Sequence, residues 1–336
     1  MKRVILGLLA VAVFFTLSAC DRQPYTSDFF AMDTFMRITA YGETAEEGVH
    51  AAEQMINELE NEFSNTRENS LIFRLNQSGT AEISRDAGAV LSQAITVSEE
   101  TGGAFDITIA AVSGLWGIGT EKARVPRDEE LQNALQTVDY HNIQMEGTKV
   151  RLANGAQIDL GGIGKGYAAD KAAEVLKAYG VEKAVLSLGG NVYVLGQKDE
   201  HTLWKVGIAD PESPEQSMAV LSVQDTSVVT TGGYQRYMEK DGTVYHHVFD
   251  PATGYPAETD LLSVTVVHEN SALADAYSTA LFVLGAERGM AFCREHQVEA
   301  CFVRKDHVVL VTDGLYDRME LLENNTGYHY EMDEKR

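Results

Sequence analysis

Residues 234–249 read YQRYMEKDGTVYHHVF, two runs of strand-forming residues on either side of Asp241-Gly242. Asp-Gly favours the tight turn whose twist matches paired antiparallel strands, since both central residues take positive φ there. The stretch therefore predicts a hairpin with strands over 234–240 and 243–249. A second hairpin follows from the apolar runs 300–303 and 308–312, joined through Arg304-Lys305-Asp306. Further strand patterns lie at 184–188, 192–195, 204–208, 219–223 and 263–267, with shorter ones at 150–152 and 157–160. Neighbouring hairpins specify mainly antiparallel sheets. Packed with helices, they make an α+β body.

The helices are read from apolar spacing. Val49, Ala52, Ile56, Leu59 and Phe63 recur every three or four residues, which predicts an amphipathic helix over 45–63. Val90, Leu91, Ala94, Ile95 and Val97 give a second helix, and Ala168, Ala172, Val175, Leu176 and Tyr179 a third that stops at Gly180. A fourth runs from Ser271 to Leu284 with Gly285 after it, and a polar helix sits near 128–138. No period of 20 to 50 residues recurs, which argues against solenoids and propellers.

Composition narrows the function. The 336 residues carry Lys+Arg 27 against Asp+Glu 50, a net charge of −23. That excess opposes nucleic-acid binding, which needs Lys and Arg to neutralise phosphates. It leaves nucleotide binding open, provided a cation screens the charges. Three cysteines, Cys20, Cys293 and Cys301, are too few for a disulfide scaffold or a cysteine-rich zinc module. Cys293 and Cys301 sit in apolar settings, as a buried thiol pair or a bridge.

The amino terminus reads MKRVILGLLAVAVFFTLSAC. Two basic residues, a short apolar run and Leu17-Ser18-Ala19-Cys20 resemble a lipoprotein signal, with residues 1–19 removed and Cys20 lipidated. An ordinary signal peptide or an uncleaved anchor helix are the alternatives. Residues 20–28 then form a lipidated tether, 29–325 a single catalytic body and 326–336 a polar tail. Asp21 resembles the signal that retains Gram-negative lipoproteins on the periplasmic face of the inner membrane.

Three stretches carry candidate chemistry. Ile158-Asp159-Leu160-Gly161-Gly162-Ile163-Gly164-Lys165-Gly166 runs from a strand through four glycines into a helix. Such a bend lets a phosphate approach backbone N–H groups at a helix start. It is no Walker A loop, because Asp159 and Gly166 occupy positions that need Gly and Ser/Thr. Gly164-Lys165-Gly166-Tyr167-Ala168-Ala169 matches a loose dinucleotide fingerprint, yet the next strand ends in Gly189-Gly190-Asn191 with no acidic residue. Close helix–strand packing explains the glycines equally well. On the fourth helix, Asp275, Ser278 and Thr279 fall at i, i+3 and i+4 among apolar residues. Three such oxygens suit Mg²⁺, whereas a cap near Ser271 with Asp275 in solvent is the alternative. The third stretch is His246-His247, before the turn Phe249-Asp250-Pro251-Ala252-Thr253-Gly254. Adjacent strand residues face opposite ways, so one histidine at most reaches a shared pocket. No His-Glu-x-x-His or Gly-x-Ser-x-Gly motif is present.

Taken in order, seven segments resemble the FAD:protein FMN transferase (ApbE) family. They are Ala31-Met32-Asp33-Thr34, Ser70-Leu71-Ile72-Phe73-Arg74-Leu75-Asn76, Gly103-Ala104-Phe105-Asp106-Ile107-Thr108, 158–170, Thr231-Gly232-Gly233-Tyr234-Gln235-Arg236-Tyr237, 247–254 and Ala274-Asp275-Ala276. The resemblance implies a T-fold-like duplicated α+β architecture and an enzyme that uses Mg²⁺ to move FMN from FAD onto a Thr or Ser hydroxyl, releasing AMP. It implies acceptor flavoprotein subunits of membrane redox pumps as partners. It places Met32, Ala104, Phe105, Asp106, Asp159, Lys165, Arg236 and Phe249 around FAD, and gives Gly162 (by its carbonyl), Asp275 and Thr279 to the metal. His247 becomes the candidate base. Two departures stand out: Thr66 where many members carry Tyr, and Ser278 where many carry Asp. A hydrolase yielding FMN and AMP, and a lipid-anchored FAD-binding protein without turnover, are the rival readings.

Overall fold

The computed structural model describes residues 23–322 and 327–332. The signal segment, Cys20 and the first residues of the tether fall outside that range, as do parts of the polar tail. The chain begins with the hairpin β1 (Tyr25–Ala31) and β2 (Thr34–Tyr41), followed by α1 (Ala45–Phe63) and α2 (Leu71–Ser78). Then come β3 (Thr80–Glu82), α3 (Arg85–Glu100), α4 (Ala110–Trp116), α5 (Asp128–Leu135), β4 (Ile143–Glu146), β5 (Lys149–Leu152) and α6 (Gly164–Ala178). Strands β6 (Lys183–Leu188), β7 (Asn191–Leu195), β8 (Trp204–Asp210), β9 (Ser213–Val223) and β10 (Thr226–Gly232) precede the hairpin β11 (Tyr237–Lys240) and β12 (Thr243–His246). The rest comprises β13 (Leu261–His268), α7 (Ser271–His296), β14 (Glu299–Arg304), β15 (Val308–Val311), α8 (Asp313–Tyr316), β16 (Met319–Leu321) and β17 (His329–Met332).

One sheet organises the molecule, with strand order β1-β2-β6-β7-β10-β13-β14-β15-β17. Every neighbouring pair is antiparallel except β15 and β17. Two units of the same design lie side by side: β1-β2, helices α1 and α6, β6-β7, then β10-β13, helix α7, β14-β15. The duplicated α+β architecture that the family resemblance implies is visible in the strand order. Within α7, Gly285 (φ 77°, ψ 176°) interrupts the helix, so the second unit also has two helical segments, 271–284 and 286–296. The sequence marked Gly285 as the stop but missed the segment beyond it.

Helices α1, α6 and α7 cover one face, where Met36, Ile38, Leu186, Val264 and Phe302 of the sheet are buried in one cluster with Ile56 of α1. Burying a side chain of this size contributes ~1.5–3 kcal/mol. On the second unit the opposite face is also covered, by β8 and β9, whose Trp204, Ile208 and Leu221 meet Val228, Val267 and Val303. Strands buried on both faces read as unbroken apolar runs. Along β14, Ala300 and Phe302 face the helices while Cys301 and Val303 face the other core. Cys293 belongs to the helix side, so the sheet separates the two buried thiols, which are not bridged. The bridge option is excluded. A third cluster joins α4, α5 and the β11–β12 hairpin around Trp116.

Four local expectations change. Residues 157–160 form no strand; Gln157 makes an isolated bridge to Ile109. The stretch read as tether enters the sheet at Tyr25, and the tail contributes β17. The first run of the central hairpin is strand only from Tyr237. At its tip Asp241 and Gly242 have φ of 54° and 77°, as an Asp-Gly turn of this kind demands. No helix among the described residues is long and apolar enough to cross a membrane.

Candidate active site

The glycine bend and the start of α7 meet. Gly166 N–H donates to Asp275 Oδ2 at 3.0 Å, and Lys165 Nζ lies 3.4 Å from both carboxylate oxygens and 3.0 Å from the Gly161 carbonyl. Asp275 is only 3% exposed. A buried carboxylate needs such partners, because desolvation penalises an unpaired charge. Contact this close depends on Gly166: a Cβ there would stand 2.2 Å from the Ser271 carbonyl oxygen. Asp170, one turn along α6, holds the same crossing by accepting the Ser271 and Ala272 N–H groups at 2.8 and 2.9 Å. Burial raises its carboxyl to a pKa of about 6.

Thr279 stands one turn beyond Asp275 on α7, and the Cβ position of Gly162 is 3.4 Å from its Oγ1. Phe105 packs under the same glycine, 3.0 Å from that position. Asp275 and Thr279 therefore stand one turn apart on α7 against the glycine bend, so one carboxylate, one hydroxyl and the backbone of the bend are the hard-oxygen groups available there. That chemistry fits Mg²⁺, which takes one or two protein carboxylates and completes its shell with water and substrate phosphate. Among the described residues no group of three His, Cys, Asp or Glu side chains is gathered as for a metal ion. Ser278 does not join the set. Its hydroxyl is buried 2.7 Å from Thr231 Oγ1 and donates to the Asp275 carbonyl at 2.8 Å, which ties α7 to β10. The three oxygens expected on one face reduce to two.

A second group of residues is assembled between the tip of the β1–β2 hairpin and the open end of the β11–β12 hairpin. Met32 and Asp33 form the β1–β2 turn with φ of 49° and 57°. Arg236 Nη2 donates to the Asp33 carbonyl at 2.8 Å. His247 Nδ1 lies 3.1 Å from the Arg236 carbonyl, an acceptor only, so Nδ1 carries the proton and Nε2 keeps its lone pair. Burial, aided by the Arg236 and Lys165 cations, lowers the His247 pKa to about 4. The imidazole is neutral at pH 7. His246 turns away: its Nε2 meets the Ala257 carbonyl at 3.2 Å, Nδ1 accepts from Val248 N–H, and the ring packs edge-on against Phe282.

The remaining predicted residues frame the site. Asp159 accepts Gly161 N–H at 2.9 Å and the Ser113 hydroxyl at 2.9 Å, so both oxygens shape the bend. Buried Asp106 accepts from Thr108 N–H, Thr108 Oγ1 and Tyr140 N–H, and burial raises its carboxyl pKa. Ala104 is buried beside it, and Phe249 packs on Trp116 with ring centroids 5.9 Å apart. Met32 is half-buried at the turn. Residue-by-residue reading missed Glu60, which is 5% exposed and accepts from Met32 N–H at 2.9 Å and from Arg67 Nη2 at 2.6 Å. It also missed Asp170 as the cap of α7. Both acids sit within helical patterns, where a buried acid is indistinguishable from a solvated one.

Comparison with known proteins identifies the family. The family model described as the ApbE family matches residues 32–302. An FAD:protein FMN transferase of Treponema pallidum is 37% identical, covering 89% of this chain and 90% of its own. The Escherichia coli K12 protein of that name is 29% identical over 89% and 92%. Among solved structures, an ApbE protein from Thermotoga maritima superposes with a TM-score of 0.83 at 30% identity, covering 88% of this chain and 99% of its own. Pseudomonas stutzeri flavinyl transferase ApbE gives 0.77 at 27%, over 86% and 93%. With a matched model spanning most of the sequence and the same fold in its relatives, this chain belongs to the ApbE family.

Proposed function

We propose that this chain is a Mg²⁺-dependent FAD:protein FMN transferase, moving FMN from FAD onto a Thr or Ser hydroxyl of an acceptor flavoprotein. The observation that carries this reading is the contact between the glycine bend and α7, which sets Asp275, Thr279 and Gly162 beside Lys165. Its relatives are named FAD:protein FMN transferases.

A Mg²⁺ ion on the Gly162 carbonyl, Asp275 and Thr279 would neutralise phosphate charge in a protein of net charge −23. Lys165 is loosely paired with Asp275 at 3.4 Å, within reach of a diphosphate that displaces it. Arg236 supplies a second cation from the hairpin side. The acceptor hydroxyl attacks the phosphorus on the riboflavin side, the bond to the AMP oxygen breaks, and AMP departs. Neutral His247 presents Nε2 to take the hydroxyl proton, help that is commonly worth ~10²–10⁴-fold. The bound diphosphate raises the basicity of His247 by offsetting Arg236 and Lys165.

The same reading makes the chain a lipoprotein, acylated at Cys20 and held at the periplasmic face of the inner membrane, with subunits of membrane redox pumps as acceptors. One incubation tests the activity, with FAD, Mg²⁺ and a Thr-bearing flavoprotein segment. Covalent flavin fluorescence on the segment with an equal yield of AMP supports transfer. Free FMN and AMP with no labelled segment contradict it in favour of hydrolysis, and intact bound FAD leaves only binding. For the anchor, labelled palmitate taken up by the parent and not by a Cys20→Ala variant supports lipidation, and no uptake by the parent contradicts it.

A further inference from the structure

We propose that Glu60 is a positioning residue that fixes the Met32–Asp33 turn against the loop after α1 and so sets affinity for the flavin dinucleotide; this rests on the transferase reading. Glu60 lies in the last turn of α1, and its single oxygen Oε1 receives both Met32 N–H at 2.9 Å and Arg67 Nη2 at 2.6 Å. Arg67 belongs to the loop 64–70, where its N–H donates to Ser64 Oγ and its Nη1 to Asn61 Oδ1, both at 3.1 Å. One buried carboxylate therefore holds two chain segments at once.

The turn needs such a hold. Met32 and Asp33 are consecutive residues with side chains in the left-handed region, a conformation that persists where the surroundings over-determine it. Glu60 grips the turn at its Met32 N–H, and Arg236 grips it at the Asp33 carbonyl. Arg236 in turn gives its own carbonyl to His247. Glu60 is thus the far anchor of a chain of contacts running Glu60, Met32-Asp33, Arg236, His247. It touches neither the oxygens of α7 nor the glycine bend, so it acts on binding geometry rather than on phosphoryl chemistry.

Glu60→Gln keeps an acceptor for Met32 N–H and removes the charge that holds Arg67. Arg67→Gln removes the other partner at a half-exposed site, where folding is not at stake. In the full chain with Mg²⁺ and a saturating acceptor, each substitution is expected to raise the KM for FAD about tenfold, the scale of one charged hydrogen bond, with kcat within twofold. The double variant should be no worse than either single one, and Glu60→Asp should fall short because one methylene less prevents the oxygen from reaching both partners. A role in stability alone would lower kcat through the fraction folded and leave KM unchanged, which overturns the proposal. An unchanged KM in Arg67→Gln, or additive effects in the double variant, overturns it too. If the parent itself binds no FAD, the transferase reading fails and this assignment with it; an active parent with unaffected variants defeats Glu60 alone.

Discussion

Gly166→Ala is the sharpest perturbation of the helix crossing that builds the site. The added methyl would stand 2.2 Å from the Ser271 carbonyl oxygen and 2.8 Å from Ala272 Cα, backbone atoms that cannot rotate aside. An ordinary carbon–oxygen contact is about 3.3 Å, so α6 and α7 must separate by about 1 Å. Overpacking of this kind costs about 1–3 kcal/mol, and the charged hydrogen bond from Gly166 N–H to Asp275 is worth about 1.5–3 kcal/mol more. Gly164→Ala is the control two residues away, where the methyl meets Leu160 and Phe63 at 3.8 Å, an ordinary contact. Urea unfolding followed by circular dichroism should therefore show a loss of about 3–5 kcal/mol for Gly166→Ala and a change under about 1 kcal/mol for Gly164→Ala. Equal stability of the two variants would refute the argument that this glycine exists for the crossing.

Other outcomes follow from the same geometry. Asp275→Ala should reduce flavin transfer further than His247→Ala, because the carboxylate serves both binding and charge neutralisation whereas a base contributes ~10²–10⁴-fold; initial rates at saturating Mg²⁺ decide. His247 binds its proton near pH 4 when folded and near pH 6.5 when unfolded, so its contribution to stability is full above 6.5 and lost as pH falls towards 4. Unfolding midpoints of His247→Gln across that window should fall less steeply than those of the parent. Burial raises the Cys301 thiol to a pKa of about 12 and places it across the sheet from Cys293, so a thiol reagent at pH 8 should label neither in the native protein and both in urea.

Much of this was legible in the sequence where a local rule had one solution. Asp241-Gly242 required a primed turn, and Gly180 with φ +78° followed α6 as the apolar spacing implied. Segment pairing was harder. Strands β1 and β2 went unread because their outer faces remain in water, leaving Phe30 and Phe35 exposed and blurring the alternation. Asp275 and Thr279 stand out by their i, i+4 spacing, yet Ser278, one residue before Thr279, faces β10, since a single residue turns the helix by about 100°. Glu60 and Asp170 depend wholly on tertiary partners far along the chain. No local pattern marks a carboxylate whose partner is a distant backbone N–H.

The most direct test of the central arrangement is FAD binding by calorimetry, with and without Mg²⁺, in the parent and in Asp275→Asn. The parent should bind FAD at least about tenfold more tightly when Mg²⁺ is present, the scale of one charge-assisted contact, and the variant should lose that dependence. Equal Mg²⁺ enhancement in both proteins would contradict the assignment of the α7 oxygens and the glycine bend to a shared cation and diphosphate site.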